Sequence, residues 1–368
     1  MRICTFVGTR PELIKLSSVI RKIDDYFDHV LVHTGQNYDR GLKDVFFEDL
    51  GLREPDIYMG VGQGRSAMEC VGEVISEGDR LLGELKPDAI LIYGDTNSCL
   101  IAYPAKRRGI PIFHCEAGNR CFDFKVPEEV NRRVVDHLAD VNFVLSDQAR
   151  DYLLAEGRPA DRTIKTGSHM PEVLRGLDEK IKQSDILQNL GLDKHEYFLC
   201  SLHREENVDE PSSLIALLGR LSAVGSEFSK EIVMPVHPRT KKQLEIGGFS
   251  LPGNFNLLDP LGIIDFMSLQ RNCFCLLSDS GTVTEEASIL GIPSIMIRHT
   301  HERPEGVDMG VTILAPTGHE SFVSAVRLSV SNPPTPNQVY QTEADASDII
   351  AKALFGYVDF IRARNGLA

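Results

Sequence analysis

The chain predicts an α/β architecture of two doubly wound domains facing across a cleft, and three observations carry that prediction. Strand-like apolar runs alternate with helical patterns along the whole length. A charged stretch with no strand pattern, residues 167–184, interrupts the alternation, which then restarts. Polar residues recur where the strands of both halves end, the edge at which open parallel sheets bind ligands.

The elements follow in order. Residues 2–7 are short, apolar and stop at Gly8. Pro11 suits a helix start, and Leu13, Ile14, Leu16, Ile20 and Ile23 keep a helical period over 11–23. Further strands are expected at 29–33, 89–93, 112–115, 141–145 and 163–165, with helical stretches between most of them. Residues 34–64 carry two turn-like glycine clusters and resist assignment. The second half gives strands at 197–202, 231–236, 254–258, 274–278, 294–297 and 312–315. A polar, proline-rich stretch, 329–338, precedes a final helix at 347–363. Repeated βα units imply parallel sheets covered by helices. The domains are expected at 1–168 and 169–346.

Composition bounds the function. The 368 residues are 42% hydrophobic and 25% charged, as in a globular protein with sizeable cores. A formal net charge of −14 argues against wrapping nucleic acid or binding an anionic membrane. No apolar run approaches a membrane span, and the N-terminus MRICTFVGTRPE reads as a first strand, not a signal peptide. The eight cysteines form no CxxC pair and no zinc-like spacing, so no metal is expected. They read as buried thiols of a reducing cytoplasm, with a catalytic role for Cys115 or Cys121 the alternative.

The chemistry gathers at strand ends: Gly8-Thr9-Arg10, Gly94-Asp95-Thr96, His114 with Glu116, His203-Arg204, His237, and Asp279-Ser280-Gly281-Thr282. Each alone is an ordinary turn; together, from both halves, they point to one ligand site. Ser280-Gly281-Thr282 leads into a helix whose first amides suit a phosphate, and Arg10 and Lys15 flank the first helix start. Gly60-Val61-Gly62-Gln63-Gly64 misses the dinucleotide spacing and reads as a loop, and no NAD fingerprint is present. The densest segment is His114 to Arg133, with Glu116, Glu128, Glu129, Arg120 and Arg132. It is either a salt-bridged surface helix or a proton-transfer site. In the helix opened by Pro127, Val130, Val134 and Leu138 form the expected apolar face. Glu128 and Arg132 then share one flank, Glu129 and Arg133 the other. His137 reads as structural.

With GTRPELIK (8–15), GDT (94–96), EAG-R (116–120), PEE-NR (127–132), HRE-EN (203–207), DSG---EE (279–286) and ERPE (302–305) in order along nearly the whole chain, the sequence resembles the non-hydrolysing UDP-N-acetylglucosamine 2-epimerases. The resemblance implies a GT-B-like pair of Rossmann domains, a UDP-sugar in the cleft, no cofactor and a homodimer. It also implies a C-terminal helix, within 347–368, packed back on the first domain. It implies inversion at C2 through a 2-acetamidoglycal, with UDP leaving C1 and then returning. Asp95, Glu116 and Glu128 would move protons, with Lys15 and His203 catalytic or charge-stabilising. Arg10, His203, Ser280 and Gly281, with Thr282 beside them, would hold the diphosphate. Glu286 would bind the ribose, with His237, Arg120, Arg132 and Arg303 also toward the substrate. The usual HRREN carries Glu205 in place of an arginine, and EAGLR reads EAGNR, followed by Cys121-Phe122-Asp123. With KTGS at 165–168, these departures resemble the UDP-N-acetyl-L-fucosamine synthases of capsule and O-antigen pathways. Their substrate is UDP-2-acetamido-2,6-dideoxy-L-talose. UDP-GlcNAc/UDP-ManNAc epimerisation, a GT-B glycosyltransferase and a non-catalytic UDP-sugar sensor are the alternatives.

Overall fold

The structure is a computed structural model that describes residues 1–35, 47, 49–62, 65–202, 204, 207, 210–236, 240, 244, 253–298 and 302–366. It divides into two compact units, residues 1–176 with 341–368, and residues 177–340.

The first unit is built on a seven-stranded parallel sheet of order β3-β2-β1-β4-β5-β6-β7. The strands are β1 (Arg2–Val7), β2 (Asp28–His33), β3 (Ile57–Tyr58), β4 (Ala89–Tyr93), β5 (Ile112–Ala117), β6 (Val141–Val144) and β7 (Thr163–Lys165). Sequence order reverses between β1 and β4, so the loops leaving these neighbours diverge and open a crevice at their C-terminal ends. Helices α1 (Arg10–Tyr26) and α2 (Ala67–Leu85) follow β1 and β3. A capping box starts α2: the Ser66 hydroxyl accepts from Glu69 N–H while the Glu69 carboxylate accepts from Ser66 N–H. Cys4, Phe6, Ile90, Ile92 and Ile112 pack against Val74, Leu81 and Leu82 of α2. Burying such side chains contributes roughly 1.5–3 kcal/mol each.

The second unit holds a six-stranded parallel sheet of order β10-β9-β8-β11-β12-β13. Its strands are β8 (Tyr197–Ser201), β9 (Glu231–Pro235), β10 (Phe255–Leu258), β11 (Cys275–Ser278), β12 (Ser294–Met296) and β13 (Ile313–Leu314). Successive β8 side chains feed opposite cores. Tyr197 and Leu199 join Val233, Leu276 and Met296 on one face. Phe198 and Cys200 join Ile232, Met234 and Leu277 on the other. This two-sided burial is why parallel strands read as continuous apolar runs. The reversal here lies between β8 and β11, next to Asp279–Thr282.

The expected strands recur within two residues of their ends. Two features differ. The charged stretch 167–184, read as an irregular connection, contains a helix, Met170–Lys182. Its Val173, Leu174, Leu177 and Ile181 are buried, an apolar stripe hidden among charges. The unassigned region contributes β3. The last helix, Ala346–Arg364, belongs to the first unit. There Phe355 stacks on Phe27 at 4.3 Å, Asp348 meets Lys22 at 2.8 Å, and Arg362 pairs with Asp88. All eight cysteines are free thiols. Among the described residues, no helix is long and apolar enough to cross a membrane.

Candidate active site

Two clusters of side chains lie at the strand ends, one in each unit. In the first, Gly8 ends β1 where no side chain fits: a Cβ there would lie 1.8 Å from Ser98 Oγ. That close approach brings the start of α1 against the loop after β4. Glu12, in the first turn of α1, is buried and accepts from Gly8 N–H at 2.6 Å and from Thr96 Oγ1 at 2.8 Å. Arg10 is half-buried at the helix start. One turn beyond Glu12, the buried Lys15 Nζ lies 3.3 and 3.4 Å from the two Glu116 carboxylate oxygens and 5.4 Å from the centre of the Tyr93 ring.

Glu116 takes a left-handed backbone, φ +64°, where the β5–β6 register shifts. For a non-glycine residue this conformation is strained, and such strain collects at functional sites. The shift aims the carboxylate along the sheet edge, with Oε2 3.7 Å from where a Gly94 side chain would begin. Next to Gly94, Asp95 Oδ2 accepts from Arg132 Nη2 at 2.7 Å and Nε at 3.1 Å, and Asp95 C=O accepts from Asn131 at 2.9 Å.

Arg132 and Asn131 come from the helix Pro127–Leu138, which lies opposite to expectation. Val130 and Val134 are 47% and 39% exposed, while Glu129, Asn131, Arg132, Val135 and Asp136 are buried. Val130 and Val134 of the expected apolar face therefore point outward, while Leu138, its third residue, packs partly buried against the core; paired charges satisfy one another on the inner face. Glu129 is not on a separate flank from Arg132: its carboxylate takes Arg132 Nη1 at 3.0 Å, Arg133 Nε at 2.8 Å and Cys121 N–H at 3.0 Å. Burial pushes Glu129 up, but these donors outweigh it and hold its pKa below the usual carboxylate range. Glu128 is half-buried and has no hydrogen-bond or ion-pair partner among the described residues.

Arg120 also departs from expectation. It is fully buried, donating to Asp136 at 2.6 Å, to Glu156 at 2.8 and 2.6 Å, and to its neighbour's carbonyl at 2.7 Å. Its donors serve the interior instead of facing a ligand. Asp136 is the hub, also bonded to His114 Nδ1 at 2.9 Å and Gly118 N–H at 3.1 Å, while His114 Nε2 meets Gly94 C=O at 2.9 Å. Burial opposes the Asp136 charge, but His114 and Arg120 lower its pKa overall. Burial pushes the Cys115 and Cys121 thiols up, away from the reactive thiolate.

In the second unit, Ser280, Gly281 and Thr282 lead from β11 into the helix Val283–Leu290. Thr282 N–H donates to Ser280 Oγ at 3.2 Å, and Thr282 Oγ1 donates to Glu286 Oε1 at 2.7 Å. Gln270 donates to the other Glu286 oxygen at 2.5 Å. The buried Asp279 braces the loop by accepting from Arg204 N–H and Asn207 Nδ2, each at 3.0 Å. Gly281 packs so closely that a Cβ would lie 2.3 Å from Glu302 Oε1. Arg303, expected at the ligand, is buried against Glu285 at 3.1 Å. His203 and His237 lie outside the described residues, as do Glu205, Gln63 and Gly64.

Sequence reading missed Glu12, Asp136 and Glu302. Glu12 was concealed inside the first motif, where its spacing from Gly8 and Thr9 resembles a capping box. Asp136 was hidden because its helix was read with the wrong side inward.

Two parallel doubly wound units with charged strand-end loops define a GT-B-like protein. The spinosyn rhamnosyltransferase SpnG shares the fold at TM-score 0.52 and 13% identity, over 99% of this chain and 96% of that one. The chain belongs to the UDP-N-acetylglucosamine 2-epimerase family, whose model matches residues 21–354. It is 34% identical to the UDP-N-acetylglucosamine 2-epimerase of Methanococcus maripaludis, over 96% of this chain and 98% of that protein. The structure of UDP-N-acetylglucosamine 2-epimerase from Rickettsia bellii matches at TM-score 0.87 and 46% identity, covering 98% of each chain. The Methanocaldococcus jannaschii enzyme in complex with UDP-GlcNAc and UDP matches at 0.88 and 31%, over 97% of this chain and all of that one. The protein is thus an isomerase, a UDP-sugar 2-epimerase.

Proposed function

We propose that the protein interconverts UDP-GlcNAc and UDP-ManNAc by elimination and re-addition of UDP. One observation carries the reading: three carboxylates, from the loop after β4, from β5 and from the helix that follows it, have three different surroundings. Asp95 is held by Arg132, Glu116 by Lys15, and Glu128 is unpaired among the described residues. Inversion at C2 needs a proton removed from one face and another delivered to the opposite face, and carboxyl groups in distinct environments suit that division. One takes the C2 proton as the C1–O bond to UDP breaks, leaving the 2-acetamidoglycal. UDP then re-forms the C1–O bond while another protonates C2. By resemblance, Arg10, Lys15, Ser280, Gly281 and His203 meet the diphosphate charge, and His237 lies near the nucleotide. Glu286, held by Thr282 and Gln270, is oriented to receive the ribose hydroxyls. The relatives named above support UDP-GlcNAc as the sugar. A homodimer in the cytoplasm completes the reading; the free thiols suit a reducing compartment.

A second reading, conversion of UDP-2-acetamido-2,6-dideoxy-L-talose to UDP-N-acetyl-L-fucosamine, is favoured by the segment Asn119-Arg120-Cys121-Phe122-Asp123. There Phe122 takes φ +56° and Cys121 is tied to Glu129, next to the carboxylates. Incubation of the protein with each UDP-sugar in D2O, followed by NMR at C2, separates the readings. Epimerisation with deuterium uptake from UDP-GlcNAc supports the first, and uptake only from the L-talo sugar supports the second. Folded protein that exchanges neither is not an epimerase of these sugars.

A further inference from the structure

Glu12 is a buried acid that the reaction above does not use. Its two oxygens tie two strand-end loops together. One accepts the backbone N–H of Gly8, which ends β1, and the other accepts the hydroxyl of Thr96, next to Asp95. The first bond goes to the residue before the Thr9 N-cap, not to the N-cap N–H that a capping box would use, and the second reaches across 84 residues to the adjoining loop. We propose, on the epimerase reading, that Glu12 is a positioning residue: by holding Thr96 it fixes Asp95 relative to Arg10 and Lys15.

The bond to Thr96 has a direction that a proton reverses. With Glu12 ionised, the Thr96 hydroxyl donates to it in a charge-assisted bond. With Glu12 protonated, its O–H donates and Thr96 accepts, while Gly8 keeps its acceptor on the other oxygen. Burial pushes the Glu12 carboxyl up to about 7, against the Gly8, Thr96 and Thr9 hydrogen bonds and with help from the Asp95 charge. The change of direction therefore falls in the neutral range. The titratable groups facing Glu12 from other elements are Asp95 and Cys99 after β4, with Arg132 from the helix Pro127–Leu138 behind Asp95. Arg10 and Lys15 share its own helix.

Glu12→Gln reproduces the protonated arrangement at every pH, with the amide oxygen on Gly8 N–H and the amide N–H on Thr96 Oγ1. The ratio of the wild-type and Glu12→Gln pH profiles for C2 epimerisation cancels every group the two share. The expected ratio of kcat is near one below pH 6 and about fivefold or more in favour of wild type above pH 8, with KM within about twofold. Thr96→Val is expected to abolish the same pH-dependent component, and the double variant to be no worse than Glu12→Gln. A flat ratio, or a Thr96→Val profile matching wild type, overturns the proposal. A second readout is independent of turnover: the Thr96 methyl signal, assigned by its loss in Thr96→Val, moves with a midpoint near 7 in wild type and stays still in Glu12→Gln. A Thr96 methyl that is static from pH 5.5 to 8.5 overturns the coupling. Wild-type protein with this titration but no C2 exchange would instead sink the epimerase reading and leave the Glu12–Thr96 link in place.

Discussion

At the scale of single residues, the site is organised by which carboxylates have partners. Glu128 has none among the described residues, so its removal leaves no buried counter-charge behind. Glu128→Gln is expected to lower kcat by about a hundredfold or more, the usual contribution of a general acid or base, while UDP affinity changes less than about threefold. Loss of UDP binding, measured by calorimetry, would make Glu128 a ligand-holding residue instead. Glu12 has a stability consequence of its own. Its folded pKa, about 7, exceeds the reference of 4.5, so the folded state holds the proton more tightly than the unfolded chain. This stabilisation is fully present below about pH 4.5 and is lost as pH rises through 7. Glu12→Gln has no such proton to lose. Its stability relative to wild type should therefore rise between pH 4.5 and pH 8 by up to on the order of 3 kcal/mol, read from urea unfolding at the two pH values. Asp136 runs the other way: its lowered pKa stabilises the fold at neutral pH, and that contribution fades in acid.

At the scale of elements, legibility followed burial. The strands were readable because both faces of a parallel sheet are apolar, so each strand appears as an uninterrupted run, as in Ala89–Tyr93. The helix Pro127–Leu138 was misread for the complementary reason. Periodicity assumes that the apolar stripe goes inward, but Glu129, Arg132 and Asp136 occupy the interior and satisfy one another. The helix Met170–Lys182 was overlooked because its stripe is interspersed with Glu172, Arg175, Asp178 and Lys180. The site residues were legible as motifs; their partners were not, because Asp95–Arg132 and Lys15–Glu116 join residues far apart in the chain. The inverted helix gives a paired test. Val130→Lys should change stability by no more than about 0.5 kcal/mol, as at an ordinary surface position. Asp136→Ala should cost about 3–5 kcal/mol, because it strands Arg120 and His114 without their buried acceptor. Equal costs in thermal unfolding would return the apolar face to the interior.

At the scale of the whole chain, the first unit is discontinuous, completed by residues that follow the second. Ile350, Leu354, Val358 and Ile361 of the final helix are buried. At roughly 1.5–3 kcal/mol each, their combined burial is comparable with the 5–15 kcal/mol that holds a typical domain together. The ion pair Lys22–Asp348 adds little beside this, since both side chains are partly exposed. Removing residues 346–368 should therefore unfold the first unit, although no strand and no proposed catalytic residue is deleted. The second unit draws its cores from residues within 177–340 and should be spared. The expected outcome is two-part: the truncated protein keeps one cooperative transition, matching that of an isolated 177–340 fragment, and loses the other. Two intact transitions after truncation would mean that the first sheet is stable without its last helix. Dependence on that helix also sets an order of assembly, because the unit carrying Asp95, Glu116 and Lys15 should not be stable until residues 346–368 are available.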